Sequence, residues 1–327
     1  LSQLRPTEVV TYRAREQSHR FLDDLLDQED APGKALWLVS WGFDVPRLLK
    51  RLRGRVAVYQ AHSSGYGFDL PPGVPVIAVS RNTLGYWGDR APRNPLALVP
   101  NALEPQWIDR GARHDCQVRG SDSRPIQVLV QQRKSSPYVI NQLVPALRAQ
   151  GLRVEVQDGW VDDLVSLFNS ATVYLYDSAE YWRGRGVSEG FGLPPLEALA
   201  CGCVVFSSFN HALADLLFPG ENAHQIGQGT LYNDLQRIQA AVDNPVAWLP
   251  TPEQTEALFE QVSEARWLER WAQTLDWIDS LDLAPGLAQT SDSVLRSPST
   301  RRLRWHQRIQ ALQRKVVDRL PGWLQQS

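Results

Sequence analysis

The sequence predicts an α/β protein built from two doubly wound parallel sheets in series, and three observations predict it. Short, almost wholly apolar runs recur along the chain, amphipathic segments alternate with them, and one polar, broken stretch at 110–125 divides the series in two. At 327 residues the chain has length for two domains rather than one.

In the first half the apolar runs are 35–41 (ALWLVSW), 55–61 (RVAVYQA), 74–79 (VPVIAV) and 96–100 (LALVP). Runs without polar alternation are expected of strands covered on both faces, as in a parallel sheet between helices. Segments 44–52 (DVPRLLKRL) and 81–88 supply the helical period between them. The second half restarts at 126–130 (IQVLV). Helices over 139–149, 162–169, 194–201 and 211–217 then alternate with strands over 152–156, 172–176 and 203–207. Thr251 and Gln254 form a capping box with Pro252 at the first helical position. It is expected to open one long helix through Leu281, with Leu258, Val262, Trp267, Trp271, Leu275 and Ile278 on its apolar face. The domains expected are 1–112, 113–281, and a linker plus basic amphipathic helix over 282–327. Ligands of open parallel sheets bind beyond the carboxyl ends of the strands. The loops after 55–61 and 126–130, and the one before 194–201, are therefore where chemistry is to be sought.

Composition removes several classes of function. A net charge of −2 gives no overall attraction to nucleic acid. Three cysteines, Cys116, Cys201 and Cys203, are too few for a disulfide framework. No apolar run reaches the roughly 18 residues of a membrane span and no signal-peptide pattern opens the chain, so a cytoplasmic protein is expected. No His, Cys or Asp cluster has metal-ligand spacing, and neither a metal nor another cofactor is expected. The chain begins at Leu1 and contains no methionine, which points to a processed, truncated or engineered N-terminus.

The most informative stretch is 188–205, SEGFGLPPLEALACGCVV. Glycines at 190 and 192 allow a backbone to approach a ligand closely. Pro194 and Pro195 open a helix whose unpaired N–H groups form a cradle for a diphosphate. Glu197, expected in the first turn, could accept hydrogen bonds from sugar hydroxyls. The same pattern also suits a helix start decorated with acid for dipole reasons alone, and on physical grounds both readings stand.

The segment resembles the Glu-x7-Glu signature of retaining GT-B glycosyltransferases, the family 4-like "glycosyl transferases group 1". Glu189, Gly190, Phe191, Gly192, Leu193, Pro194, Glu197, Ala198, Ala200 and Gly202 match it. The resemblance implies two Rossmann-like domains facing across a cleft. It implies that Glu189, with Gly190, Phe191, Gly192 and Leu193, holds the transferred sugar, that Leu193 and its neighbours contact phosphate, and that Glu197 holds the ribose. Arg133 and Lys134 stand after strand 126–130, where the family carries a basic pair that neutralises the leaving nucleotide. His62, at the end of AVYQAHSSGYG, resembles the strand-end histidine that faces the donor sugar. Ser80 in VIAVSRNT and Asn101 in ALVPNALE resemble a cleft-side Ser and Asn pair.

Departures accompany these matches. Arg133 and Lys134 are adjacent instead of spaced, Asn101 precedes alanine instead of glycine, and residues 1–34 lack the glycine-rich loop that usually opens the first domain. That domain is short by about one βαβ unit, and a glycine-rich turn after 203–207 is replaced by Ser207-Ser208-Phe209-Asn210-His211.

The activity implied is transfer of a sugar from a nucleotide diphosphate donor to a hydroxyl of a carbohydrate or lipid-linked acceptor, with retention of configuration. The rival expectations are a non-catalytic sugar-nucleotide-binding relative and a GT-B epimerase or phosphorylase. At the C-terminus, 301–319 carries seven arginines or lysines against one aspartate. Leu303, Trp305, Ile309, Leu312, Val316, Leu320 and Trp323 recur there at near-helical spacing. Such a helix suits either peripheral contact with the inner face of a membrane or packing on the protein itself.

Overall fold

The computed structural model describes residues 1–28, 35–113, 124–281 and 283. Most of the expected linker, Cys116 and the basic helix over 301–326 lie outside the described residues.

A small parallel ribbon, β1 (Val10–Thr11) with β2 (Arg20–Phe21), and helix Leu22–Gln28 precede the first sheet. The sheet itself is β3 (Leu36–Ser40), β4 (Val56–Ala61), β5 (Val76–Ala78) and β6 (Leu96–Leu98), parallel throughout and ordered as in the sequence. The second sheet holds β7 (Ile126–Gln131), β8 (Val154–Gln157), β9 (Ala171–Tyr176), β10 (Val204–Ser207) and β11 (His224–Gln225). Its order is β11-β10-β9-β7-β8, again all parallel. Every residue of β9 and β10 is buried, the outcome expected of apolar runs sandwiched between helices.

Three expected helices take a different form. The run 139–149 begins as a π-helical turn over Val139–Leu143 and becomes α-helical at Val144–Ala149. Pro145 has no N–H to return to the carbonyl four residues back, and the ladder widens there. The single helix expected from 252 to 281 is two, Pro252–Gln261 and Glu264–Ser280. The first keeps the Thr251–Gln254 capping box. The break falls at Ser263, whose side chain accepts the Arg266 N–H as a new N-cap. The segment expected as helix 211–217 is a short 3-10 turn, His211–Asp215.

The break redirects the chain. Trp271, Leu275 and Ile278 of the last helix are buried with Val58 and Ile77 of the first sheet and Val99 just after β6. The helix read from sequence as part of the second domain thus closes one face of the first. Arg5 bonds Asp279 across the same contact, at 3.1 and 2.6 Å.

Candidate active site

The carboxyl ends of β4, β7 and β9 converge on Glu189, which reaches the site on the loop after helix Ala179–Arg185. Glu189 is only 4% exposed. A buried carboxylate requires partners, and its Oε2 accepts from the Tyr176 hydroxyl at 2.5 Å and from Trp182 Nε1 at 2.6 Å. Lys134 Nζ lies 3.6 Å from Oε1 and 5.2 Å from the centre of the Trp182 ring. The lysine is delivered by a backbone in the left-handed region (φ +70), an unusual conformation for a long side chain. The main-chain N–H of Glu189 points at His211 Nδ1, 3.4 Å away.

Glu197 lies one step deeper along helix Leu193–Ala200, in its second turn instead of the expected first, because the helix already begins at Leu193. Burial pushes its pKa up to about 7, with Lys134 opposing the shift and Glu104 adding to it. Lys134 therefore acts on both glutamates. Arg133 is exposed and bonds to none of the described residues. Of the two basic residues, the structure brings only Lys134 into the carboxylate cluster.

The glycines serve more than one purpose. Gly192 caps the helix with φ +100, and a Cβ on it would meet Leu213 at 2.4 Å. A Cβ on Gly190 would lie 1.7 Å from the carbonyl oxygen of His62. Gly190 thus admits the backbone of the first lobe, where a ligand's approach was the expected reason for a glycine. His62 contributes its main chain to this contact. Its ring is turned to Ser40, with Nε2 2.9 Å from Oγ, and stacks on Trp41 at 4.8 Å and 11°. Burial lowers its pKa to about 4, so the imidazole is neutral near pH 7.

One expected ligand-binding side chain has another occupation, and two other expected residues can contribute only main chain. Ser80 is buried and its Oγ caps helix Arg81–Arg90, accepting from Thr83 N at 3.2 Å. Phe191 is buried in the core, and Leu193 is half-buried against it, so these two offer backbone alone. Asn101 is half-buried after β6 and bonds to none of the described residues.

The sequence reading missed the residues that join the lobes. Ser63 Oγ donates to the Ser188 carbonyl at 2.7 Å, and Ser188 Oγ receives Ser64 Oγ at 2.7 Å and Asn82 Nδ2 at 3.1 Å. The Arg81 N–H donates to Asp215 at 2.7 Å. Trp182 and Tyr176 were also missed. The one available signal was the length of chain between β9 and the glutamate motif, which holds helix Ala179–Arg185.

A groove of about 1680 Å³ elsewhere on the first lobe is lined by Leu25, Leu36, Leu52, Trp271 and Ile278 among others. Its charged residues are taken up in two largely exposed pairs, Arg5 with Asp279 and Arg20 with Glu8, so the buried Glu189 cluster is the better candidate for chemistry. Among the described residues no three His, Cys, Asp or Glu side chains are grouped to hold a metal ion. None of the described helices is long and apolar enough to cross a membrane.

Two parallel α/β lobes meeting at strand ends define the fold class of the GT-B glycosyltransferases. Residues 154–244, which include Glu189 and Glu197, match the family model of glycosyl transferases group 1, as the sequence motif anticipated. The chain is similar in structure to HepE of Anabaena in complex with UDP and glucose. The two share 15% identity over 73% of this chain and 78% of that one, with a TM-score of 0.51. It is similar also to sucrose-phosphate synthase of Thermosynechococcus elongatus (16% identity, 79% and 76% covered, TM-score 0.54). A third similar structure is a glycosyltransferase of Rickettsia africae (9% identity, 75% and 77% covered, TM-score 0.55). At these identities the likeness is one of fold. No curated protein sequence matches the chain.

Proposed function

We propose that the protein transfers a sugar from a nucleotide diphosphate donor to an acceptor hydroxyl with retention of configuration, without a metal ion. The observation that carries this reading is the Lys134–Glu189 pair beside Glu197, gathered at parallel strand ends and abutted by His62. A lysine in this position neutralises charge that develops on the leaving diphosphate. Glu189, held by Tyr176 and Trp182, is oriented to accept from the sugar hydroxyls, and Glu197 from the ribose. The neutral ring of His62 offers no charge to the sugar. Its place beside Ser40 makes it a positioning group on the acceptor side, and the departing phosphate takes the acceptor proton. Similarity to a structure holding UDP and glucose supports the donor class.

A thermal-shift screen against UDP, GDP, TDP and their sugars identifies the donor, and proton NMR of the product reads its anomeric configuration. Stabilisation by none of them, or an inverted product, would overturn the reading. With the donor in hand, Lys134→Ala is expected to lower kcat by about 100-fold, more than it weakens binding of the free nucleoside. A wild-type rate would remove Lys134 from the reaction.

Glu197 gives a pH signature. Its raised pKa means that the protonated form is favoured in the folded protein. Its contribution to stability is complete below the ordinary carboxylate range, near 4.5, and is lost as pH rises through about 7. Ribose binding needs the ionised form as acceptor. Nucleotide affinity measured by calorimetry is therefore expected to rise between about pH 6 and 8 and to stay flat in Glu197→Gln. A flat wild-type profile would remove Glu197 from the nucleotide site.

A further inference from the structure

We infer that Trp41, Phe43 and Tyr66 form a stacking platform for a pyranose ring of the acceptor, an inference that rests on the transferase reading above. Trp41 is 65% exposed and Phe43 75% exposed, although both sit at the carboxyl end of β3, beside the contact between the lobes. Trp41 adopts φ +66. An indole is rarely found in that region, and such backbone conformations gather where a site must present a side chain. One face of the indole is covered by the His62 ring in a nearly parallel stack, which leaves the other face to solvent.

The second ring is held just as firmly. Phe43 meets Tyr66 edge to face at 5.1 Å, Tyr66 stacks on Phe68 at 6.0 Å, and Phe68 lies 5.2 Å from the buried Trp87. Gly42 permits this arrangement, because a Cβ there would come within 3.3 Å of the Tyr66 ring. The exposed rings are therefore anchored to the core of the lobe and lose little freedom when a ligand arrives.

The ligand class follows from what stands beside the rings. Ser40 Oγ and His62 Nε2 form a polar pair next to Trp41, with the imidazole against its covered face. A hydrocarbon ligand offers such polar neighbours no partner, whereas a sugar presents both kinds of surface. The axial C–H groups of a pyranose carry slight positive charge and settle on the negative face of an aromatic ring, while its hydroxyls remain free to reach polar groups around the rings. The platform runs into the cleft through His62, whose carbonyl touches Gly190 next to Glu189. A ring seated there would lie beside the donor sugar.

The test is a binding panel of pyranose oligosaccharides, each offered free and attached to a lipid in vesicles, with sugar-free vesicles of the same lipid as a third arm. Wild-type protein is expected to bind pyranosides, and the free and lipid-attached arms show which source it takes. Trp41→Ala and Phe43→Ala should each weaken this by about tenfold or more, while Trp41→Phe keeps affinity within about threefold. UDP affinity, measured on the same preparations, should be equal in all of them. No pyranoside bound by the wild type, equal binding by Trp41→Ala, or equal binding to sugar-free vesicles would each overturn the platform. Failure of the wild type to bind UDP would instead count against the donor reading, and the panel would still decide the platform.

Discussion

Replacing Gly190 by alanine is expected to lower turnover by about 100-fold, the scale of loss that follows when reacting groups are displaced by about 1 Å. The added Cβ would stand 1.7 Å from the His62 carbonyl oxygen, and real Cβ atoms keep at least 3.0 Å from such a neighbour. Neither partner is a flexible side-chain tip. The loop bearing Glu189 and the end of β4 must move apart, and the serine contacts around Ser188 go with them. Overpacking of this kind also costs about 1–3 kcal/mol in stability, readable by denaturant titration. The control is Gly85→Ala, in helix Arg81–Arg90, where a Cβ meets nothing within 4 Å and alanine should be neutral or slightly stabilising. Turnover of Gly190→Ala equal to that of the control would show that lobe contact at this point is dispensable.

The second large effect concerns a residue far from the chemistry. Arg124 is 5% exposed and its guanidinium donates to the carbonyls of Ala171 at the start of β9 and of Cys201 at 2.8 Å, with Ala112 at 3.4 Å. Cys201 follows helix Leu193–Ala200, so the cation also sits at the negative end of the helix that carries Glu197. Arg124→Ala would leave buried carbonyls without donors, at about 1–3 kcal/mol each. A total of about 3 kcal/mol lowers Tm by roughly 4–5 °C for a protein of this size. Arg124→Lys should restore only part of it, since one ammonium cannot reproduce the spread of a guanidinium fork. A Tm within about 2 °C of wild type in Arg124→Ala would show that water replaces the guanidinium without loss.

How far the sequence disclosed this arrangement depends on how local the cause was. The strands of both sheets other than β11 were legible because burial on two faces leaves uninterrupted apolar runs such as 55–61 and 172–176. Thr251 and Gln254 announced a helix start because a capping box is complete within four residues. Glu189 and Glu197 stood out by their spacing and glycine context, and both lie within reach of Lys134. The misses share a different cause. Ser80 was read as facing the cleft, yet its hydroxyl is committed to a cap three residues away. Trp182 and Tyr176 matter only because β9 and helix Ala179–Arg185 bring them together over Glu189. The break at Ser263 left the apolar spacing of 258–278 almost undisturbed, so one helix and two read alike. The two-residue strands β1 and β2 are too short to carry a period at all.

The return of helix Glu264–Ser280 to the first lobe has a consequence for biogenesis. Val58, Ile77 and Val99 share their core with Trp271 and Ile278, residues that leave the ribosome long after them. At typical synthesis rates, the stretch between Val99 and Ile278 takes roughly ten to forty seconds to make. Throughout that interval one apolar face of the first sheet waits for its cover, while the second lobe is already emerging beside it. The amino-terminal half is therefore made first but completed last. A chain stalled or cut near Gln261 would present that open face to chaperones instead of a finished domain.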